Sequence, residues 1–331
     1  MRIVLVGMAA FCLVLGFRFR QLTEVPEYVP HSLLPLPKNK HIIFLGRTLF
    51  FDPILSSDST ISCSSCHSPF NAFAHSDHAL SHGFKDQIGF RNAPALFNLA
   101  WQPFFMWDGA INRLDIQSLA PIHNPKEMNS SLTAVLKRLR KLTTYQLLFK
   151  KAYGDTSITT DRFTDAIAQF ECSLLSFGSK YDSVRLKKAQ FNPQEKNGYL
   201  LYQANCSPCH SEPLFTSFKF INNGLAIDTV LKDSGRFLIT GNENDKGKFK
   251  IPSLRNLSFS APYMHDGRFS TLKQVLNHYM SFSDSTHQIN DLKHLKKLSS
   301  DEKIDLIAFL MTLNDKNFIF NPNYSFPKTK R

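Results

Sequence analysis

Apolar positions recur with a helical period in several stretches of the chain. Phe163, Ile167, Phe170 and Leu174 stand at intervals of four, three and four, one buried stripe. Leu272, Val275, Leu276 and Tyr279 stand at i, i+3, i+4 and i+7, again one face. Met280 lies about 100° further round that helix and His278 points off on the other side. Start signals precede two further helices. Asn192-Pro193-Gln194-Glu195 supplies an N-cap, a proline at N1 and a glutamate at N3, and Ser299-Ser300-Asp301-Glu302 is a capping box before I-D-L-I-A-F-L-M-T-L. Strand-like alternation is scarce. Segments 68–130 and 211–262 are rich in Pro, Gly, Asn and Ser and read as irregular, and loops of that length are usually functional or wrapped around something. The pattern predicts a mainly α fold.

The chain has 331 residues, enough for two domains of ordinary size, with a boundary in the Lys-rich stretch near 185–192. Residues 1–20 carry a cationic start and about fifteen apolar residues, the length of a secretory h-region and short for a membrane span. The chain is expected to be exported to the periplasm, with residues 1–20 either a signal peptide or an uncleaved N-terminal anchor, its one route to a membrane. Net charge is +12, part of it at the ends, on Arg2, Arg18, Arg20, Lys328, Lys330 and Arg331. No dense basic run with interleaved aromatics appears, which argues against nucleic acid. A basic surface is compatible with simple solvation or with an acidic protein partner.

One long-range repeat changes the picture. Residues 61–67 read I-S-C-S-S-C-H and residues 204–210 read A-N-C-S-P-C-H, each after an apolar helix-like stretch. C-x-x-C-H is the signature of covalent c-type haem attachment. Two thiols add to the haem vinyl groups and the adjacent histidine lies under the iron. Cys63, Cys66 and His67 would hold one haem, and Cys206, Cys209 and His210 the other. A four-cysteine zinc site would bring its pairs closer and needs no histidine after each. A thioredoxin-like pair expects a βαβ setting, which is missing from the pattern. Cys12 falls in the leader, and Cys172 reads as a buried thiol without chemistry.

The chain resembles the bacterial di-haem cytochrome c peroxidases, and within them the MauG-like branch. The resemblance runs from about Leu45 to about Leu313. It is carried by L-G-R-T-L-F-F-D-P-I-L-S, the two C-x-x-C-H motifs, R-N-A-P (91–94), M-W-D-G (106–109), A-P-I-H-N-P-K-E-M (120–128), I-P-S-L-R-N (251–256) and A-P-Y-M-H-D-G (261–267), in the family's order. It implies two cytochrome c-like haem domains, 21–188 peroxidatic and 189–316 electron-transferring, followed by a tail, 317–331, with calcium between the domains.

The resemblance also implies site residues. Glu127 matches the glutamate that moves a proton during O–O cleavage, and Pro121 lines the same pocket. Trp107 matches a tryptophan between the haems. His82 matches a displaceable ligand of the peroxidatic iron, with His75 and His78 as neighbouring competitors. Asn92 and the backbone carbonyls of Ser260 and Pro262 match a calcium site, an oxygen-only set of the kind calcium takes. Arg91, Arg255 and His265 are candidates to reach haem propionates or order the region between the haems. The second axial ligand of the C-terminal haem falls fourteen residues beyond His265, on Tyr279, with Met280 next to it. Helix phase also singles out Tyr279. A tyrosinate favours oxidised iron, a thioether reduced iron. The implied activity is reduction of hydrogen peroxide with electrons from a small cytochrome c or cupredoxin. The alternatives are MauG-like oxidation of a protein substrate and plain electron transfer.

Overall fold

A computed structural model describes residues 25–282 and 292–327. The proposed leader, residues 1–20, lies outside the described residues. The fold is mainly helical. In chain order the helices are α1 Lys40–Phe51, α2 Cys63–Cys66, α3 Leu114–Gln117, α4 Leu119–His123, α5 Leu132–Arg140, α6 Thr143–Tyr153, α7 Thr160–Cys172, α8 Lys180–Arg185, α9 Pro193–Asn205, α10 Phe237–Thr240, α11 Leu272–Met280, α12 Ser300–Met311 and α13 Lys316–Ile319. Short strands β1 Phe220–Asn222 and β2 Lys248–Lys250 pair antiparallel, with Ile221 opposite Phe249. No described helix is long and apolar enough to cross a membrane.

The expected start signals are formed. Asn192 caps α9 and Ser299 caps α12, each with its N3 glutamate reaching back to the cap. Thr271 and Gln274 form the same box before α11. In α7 the stripe Phe163, Ile167 and Phe170 is buried, and Leu174 continues it just past the helix end.

Two helix crossings organise the packing. α1 meets α7 where a Cβ on Gly46 would lie 1.7 Å from the Ala166 carbonyl oxygen. α9 meets α12 where a Cβ on Gly198 would lie 1.9 Å from the Asp305 carbonyl oxygen. A glycine inside a helix is unfavourable by about 1 kcal/mol, so each has a packing reason. Each crossing stands just before a C-x-x-C-H turn. One apolar cluster gathers α1 and α5–α7 around Leu49, Val135, Phe149 and Phe163, and another gathers α9 and α12 around Tyr202, Phe215 and Phe309. The C-terminal segment returns to the first half, where Phe318, Ile319 and Tyr324 bury against Phe50 and Phe73. Cys172 is buried beside Trp101 and Phe177.

Candidate active site

The two C-x-x-C-H motifs fold alike. In each, one helical turn sets the cysteines at i and i+3, on one face. The turn is closed by the histidine N–H on the first cysteine's carbonyl, His67 on Cys63 at 2.9 Å and His210 on Cys206 at 2.8 Å. The chain then reverses through a phenylalanine in the left-handed region, Phe73 at φ +58° and Phe215 at φ +56°. For a bulky residue that conformation is strained and needs a local reason. Here it turns the carbonyls toward the imidazoles. His67 Nδ1 donates to Phe73 O at 2.7 Å, and His210 Nδ1 faces Pro252 O at 3.0 Å and Phe215 O at 3.2 Å. A carbonyl only accepts, so Nδ1 carries the proton and Nε2 keeps its lone pair for a metal.

His67, Cys66, His210, Cys206 and Cys209 all line one cavity of about 490 Å³. Their exposed surface faces this cavity. Burial lowers both histidines to about 4, so both imidazoles are neutral at pH 7. Burial also raises the Cys63 and Cys66 thiols and pushes Cys206 up to about 12. Paired thiols, neutral imidazoles with an oriented Nε2 and an apolar cavity form the donor set of covalently attached haem. The residues present fit two such groups.

The sequence-expected residues converge on this cavity. Glu127, Pro121, Trp107, Asn92, Ser260, Pro262, Tyr279 and Met280 all line it. Glu127 Oε1 accepts from Asn124 Nδ2 at 2.8 Å. Burial raises the Glu127 carboxyl, and the Asn124 bond partly offsets that rise. The Glu127 backbone is clamped by the next loop. Phe84 N–H donates to Glu127 O at 2.7 Å, and a Cβ on Gly83 would lie 2.6 Å from the Glu127 Cα.

His82 sits on that loop, but its ring faces the other way. Nδ1 meets Asp86 Oδ1 at 2.6 Å and the ring packs on His78 at 4.7 Å, while Ser81 and Gly89 reach the cavity. His75 stacks behind His78 at 6.0 Å. Asn92 donates from Nδ2 to Ala79 O at 2.9 Å, which leaves Oδ1 as the atom suited to a hard cation.

Trp107 Nε1 donates to Asn92 O at 2.8 Å. The other tryptophan, Trp101, is 3% exposed and donates to Pro30 O at 2.7 Å, a core role. On α11, both Tyr279 and Met280 reach the cavity, and His278 Nε2 meets Asn223 O at 2.9 Å. Burial pushes the Tyr279 phenol up to about 12.

The two motif arginines hold protein carboxylates. Arg91 binds Asp233 at 2.6 and 2.8 Å and Asp108 at 2.6 Å. Arg255 forms a two-bond pair with Asp182 at 2.8 and 2.9 Å and is 1% exposed. Their guanidinium groups tie chain segments together.

Three features escaped the sequence reading. The orienting carbonyls of Phe73, Phe215 and Pro252 act through backbone and carry no residue-type signature beyond a phenylalanine soon after each motif. Asn124 has only its i, i+3 spacing to Glu127 as a signal. Lys250 lines the cavity, donates to Phe104 O at 2.9 Å and to Gln102 Oε1, and burial lowers it to about 7.

Residues 40–190 match the family described as di-haem cytochrome c peroxidase. The methylamine utilization protein MauG of Methylorubrum extorquens is 35% identical over 307 residues, covering 89% of this chain and 83% of that protein. The cytochrome c551 peroxidase of Nitrosomonas europaea is 36% identical over 281 residues, covering 84% and 81%. A solved MauG-like protein associated with microbial copper homeostasis is similar at a TM-score of 0.81 and 32% identity, over 92% of this chain and 99% of that one. This chain belongs to the di-haem cytochrome c peroxidase family.

Proposed function

We propose that this protein is a di-haem peroxidase that reduces hydrogen peroxide to water with electrons from a small redox protein, a cytochrome c or cupredoxin. The observation that supports it best is the buried carboxyl of Glu127 on the same cavity as His67. His67 and His210 would each hold one haem iron through Nε2, with Cys63 and Cys66, and Cys206 and Cys209, as the covalent attachments. Haem supplies the iron at which peroxide binds and the electrons that reduce it. The residues around it do the rest. The Glu127 carboxylate takes the proton from one peroxide oxygen and returns it to the other as the O–O bond breaks. Asn124 and the Phe84 N–H hold that carboxylate's segment in place, and Pro121 shapes the wall. Two electrons and two further protons complete two waters. Trp107 is the aromatic group on the path between the two halves. His82 swings between its Asp86-paired position and the cavity as a displaceable ligand. Asn92, Ser260 and Pro262 hold calcium, and residues 1–20 direct export to the periplasm. The two haem domains are 21–188 and 189–316.

A second reading has its own support. Tyr279 on the cavity wall beside the second motif, as ligand in place of a thioether, would disfavour the reduced iron. A protein so built suits MauG-like oxidation of a partner protein, and relatives named MauG are among those it matches. Glu127→Gln tests the peroxidase reading. Peroxide turnover with a reduced donor should fall by about 10²- to 10⁴-fold, the range for a positioned acid–base group. Unchanged turnover overturns the proposed role of Glu127 and favours a plain electron carrier.

A further inference from the structure

Beside the second motif lies a chain of aromatic rings that the proposed reaction does not use. The Tyr202 hydroxyl donates to the backbone carbonyl of His210. The Tyr202 ring is fully buried and stacks on Tyr199 at 6.2 Å with planes 16° apart. Tyr199 is partly exposed on α9, flanked by the exposed Lys196, Leu200 and Gln203. Phe309 touches both rings, at 5.0 Å to Tyr202 and 5.2 Å to Tyr199. A second branch, Tyr202 to Phe215 at 5.3 Å and Phe215 to Tyr181 at 4.7 Å, ends buried, with the Tyr181 hydroxyl on Glu212 at 2.6 Å. The first branch ends on the partly exposed Tyr199 and the second on the buried Tyr181, and both phenols face the half-buried Glu212 carboxylate.

We propose that Tyr202 and Tyr199 form a relay that carries an oxidising equivalent from the haem-binding turn at His210 to the protein surface. This rests on the peroxidase reading, because peroxide is the oxidant. Tyr199 gives one electron inward across the Tyr202 ring and passes its phenolic proton to the Glu212 carboxylate beside it, leaving a neutral tyrosyl radical. A phenol or indole side chain on a docked protein returns one electron, Glu212 gives the proton back to Tyr199, and that partner is oxidised by one electron. Two such transfers consume one peroxide. The surface around Tyr199 is then the port for substrates too large for the cavity. The geometry suits transfer because the two rings are near-parallel neighbours with centroids 6.2 Å apart, within the range of paired aromatics.

The test uses the haem-loaded protein, peroxide without electron donor, a nitroso spin trap, and peptide mass spectrometry. The trap should mark the peptide carrying Tyr199, and Tyr199→Phe should lose that mark while its circular dichroism stays that of the parent. Tyr181→Phe, at the buried dead end, should keep it. If peroxide changes the haem absorption bands and the mark appears elsewhere, or survives Tyr199→Phe, the relay is wrong and the peroxidase reading stands. If the haem bands do not respond to peroxide at all, the peroxidase reading fails and takes the relay with it.

Discussion

Trp107 and His265 occupy equivalent places in two copies of one turn. In F-M-W-D-G-A-I and Y-M-H-D-G-R-F the methionine is left-handed, Met106 at φ +66° and Met264 at φ +75°, and the glycine likewise, each at φ +67°. Phe105 N–H donates to Ile111 O and Tyr263 N–H to Phe269 O, both at 2.7 Å. Asn92 joins the two turns. It donates its N–H to His265 O at 2.7 Å and accepts the Trp107 indole on its carbonyl at 2.8 Å. The indole is thereby fixed to the same backbone unit that contacts the second half. Trp107→Phe keeps an aromatic ring but loses that bond. It should slow electron exchange between the two haems by about tenfold or more, equivalent to ~1.4 kcal/mol. Stopped-flow absorption of the two haem bands after mixing with reductant reads it. An exchange rate equal to the parent's removes Trp107 from the path.

Asn124 should set the acid limb of the proposed reaction. Burial raises the Glu127 carboxyl, and the Asn124 amide holds it lower than burial alone would. In the proposed reaction the carboxylate is the form that accepts the peroxide proton, so kcat/KM should rise with pH through this group and then level. Asn124→Ala removes the lowering bond, and the rising limb should move to higher pH, with the loss greatest on the acid side. A pH profile of kcat/KM checks it. A limb that stays in place shows that another group governs it.

The two adjacent candidates on α11 separate by spectroscopy. Burial keeps the Tyr279 phenol protonated, up to about 12, in the protein alone. Binding to ferric iron is what would draw off that proton. Tyr279→Phe should therefore change the oxidised spectrum of the C-terminal haem and raise its reduction potential, while Met280→Leu leaves both unchanged. A thioether charge-transfer band in the parent, lost in Met280→Leu and kept in Tyr279→Phe, would assign the ligand to Met280.

The helices and the haem motifs were legible because each rests on a local rule. The caps at Asn192 and Ser299 lie within four residues of the groups they satisfy, and both C-x-x-C-H turns are contiguous. The α11 stripe placed Tyr279 on the cavity wall, but Met280 reaches the wall too, since a cavity subtends more of the helix than a flat neighbour would. What escaped was non-local. The partner of Arg255, Asp182, lies 73 residues away, so no local rule points to it. His82 Nδ1 meets the Asp86 carboxylate four residues on, the paired position from which its proposed move to the cavity starts. The M-x-D-G pair stood in the sequence as two separate motifs, and only their shared backbone angles make them one repeat.

Gly46 and Gly198 should be the least replaceable residues outside the cavity. A Cβ at either would enter backbone carbonyl atoms of the crossing helix, 1.7 Å from Ala166 O and 1.9 Å from Asp305 O, and backbone cannot swing aside as a side chain does. On propensity alone, glycine to alanine in a helix gains up to about 1 kcal/mol. Here overpacking reverses the sign, and Gly46→Ala and Gly198→Ala should each destabilise by at least about 1–3 kcal/mol. Denaturant unfolding of the haem-loaded protein measures it, with Gly154→Ala unsuitable as a control because that glycine has φ +95°. A gain in stability at either crossing would mean that the helices separate freely there.

The Arg255–Asp182 pair makes the strongest stability prediction. Its side chains are 0% and 1% exposed, and Arg255 also donates to Pro213 O while Asp182 accepts from Tyr28 at 2.6 Å and from Ser179. Burial by itself would raise the Asp182 carboxyl, but the Arg255 guanidinium together with the Tyr28 and Ser179 hydrogen bonds turns the net shift downward. A depressed carboxyl means that the unfolded chain binds more protons between the two pKa values. The pair's contribution is therefore present above the ordinary aspartate range and is lost as pH falls through the folded value. Asp182→Ala leaves a buried guanidinium without its counter-charge and should lose about 3–5 kcal/mol at pH 7. Removing both charges, as Asp182→Leu with Arg255→Met, should recover much of that loss, because the desolvation of an unpaired cation is its main source. Urea midpoints of the three proteins at pH 7 decide it. A double variant no better than Asp182→Ala would show instead that the hydrogen bonds to Tyr28, Ser179 and Pro213, more than the charge pairing, hold this junction of the two halves.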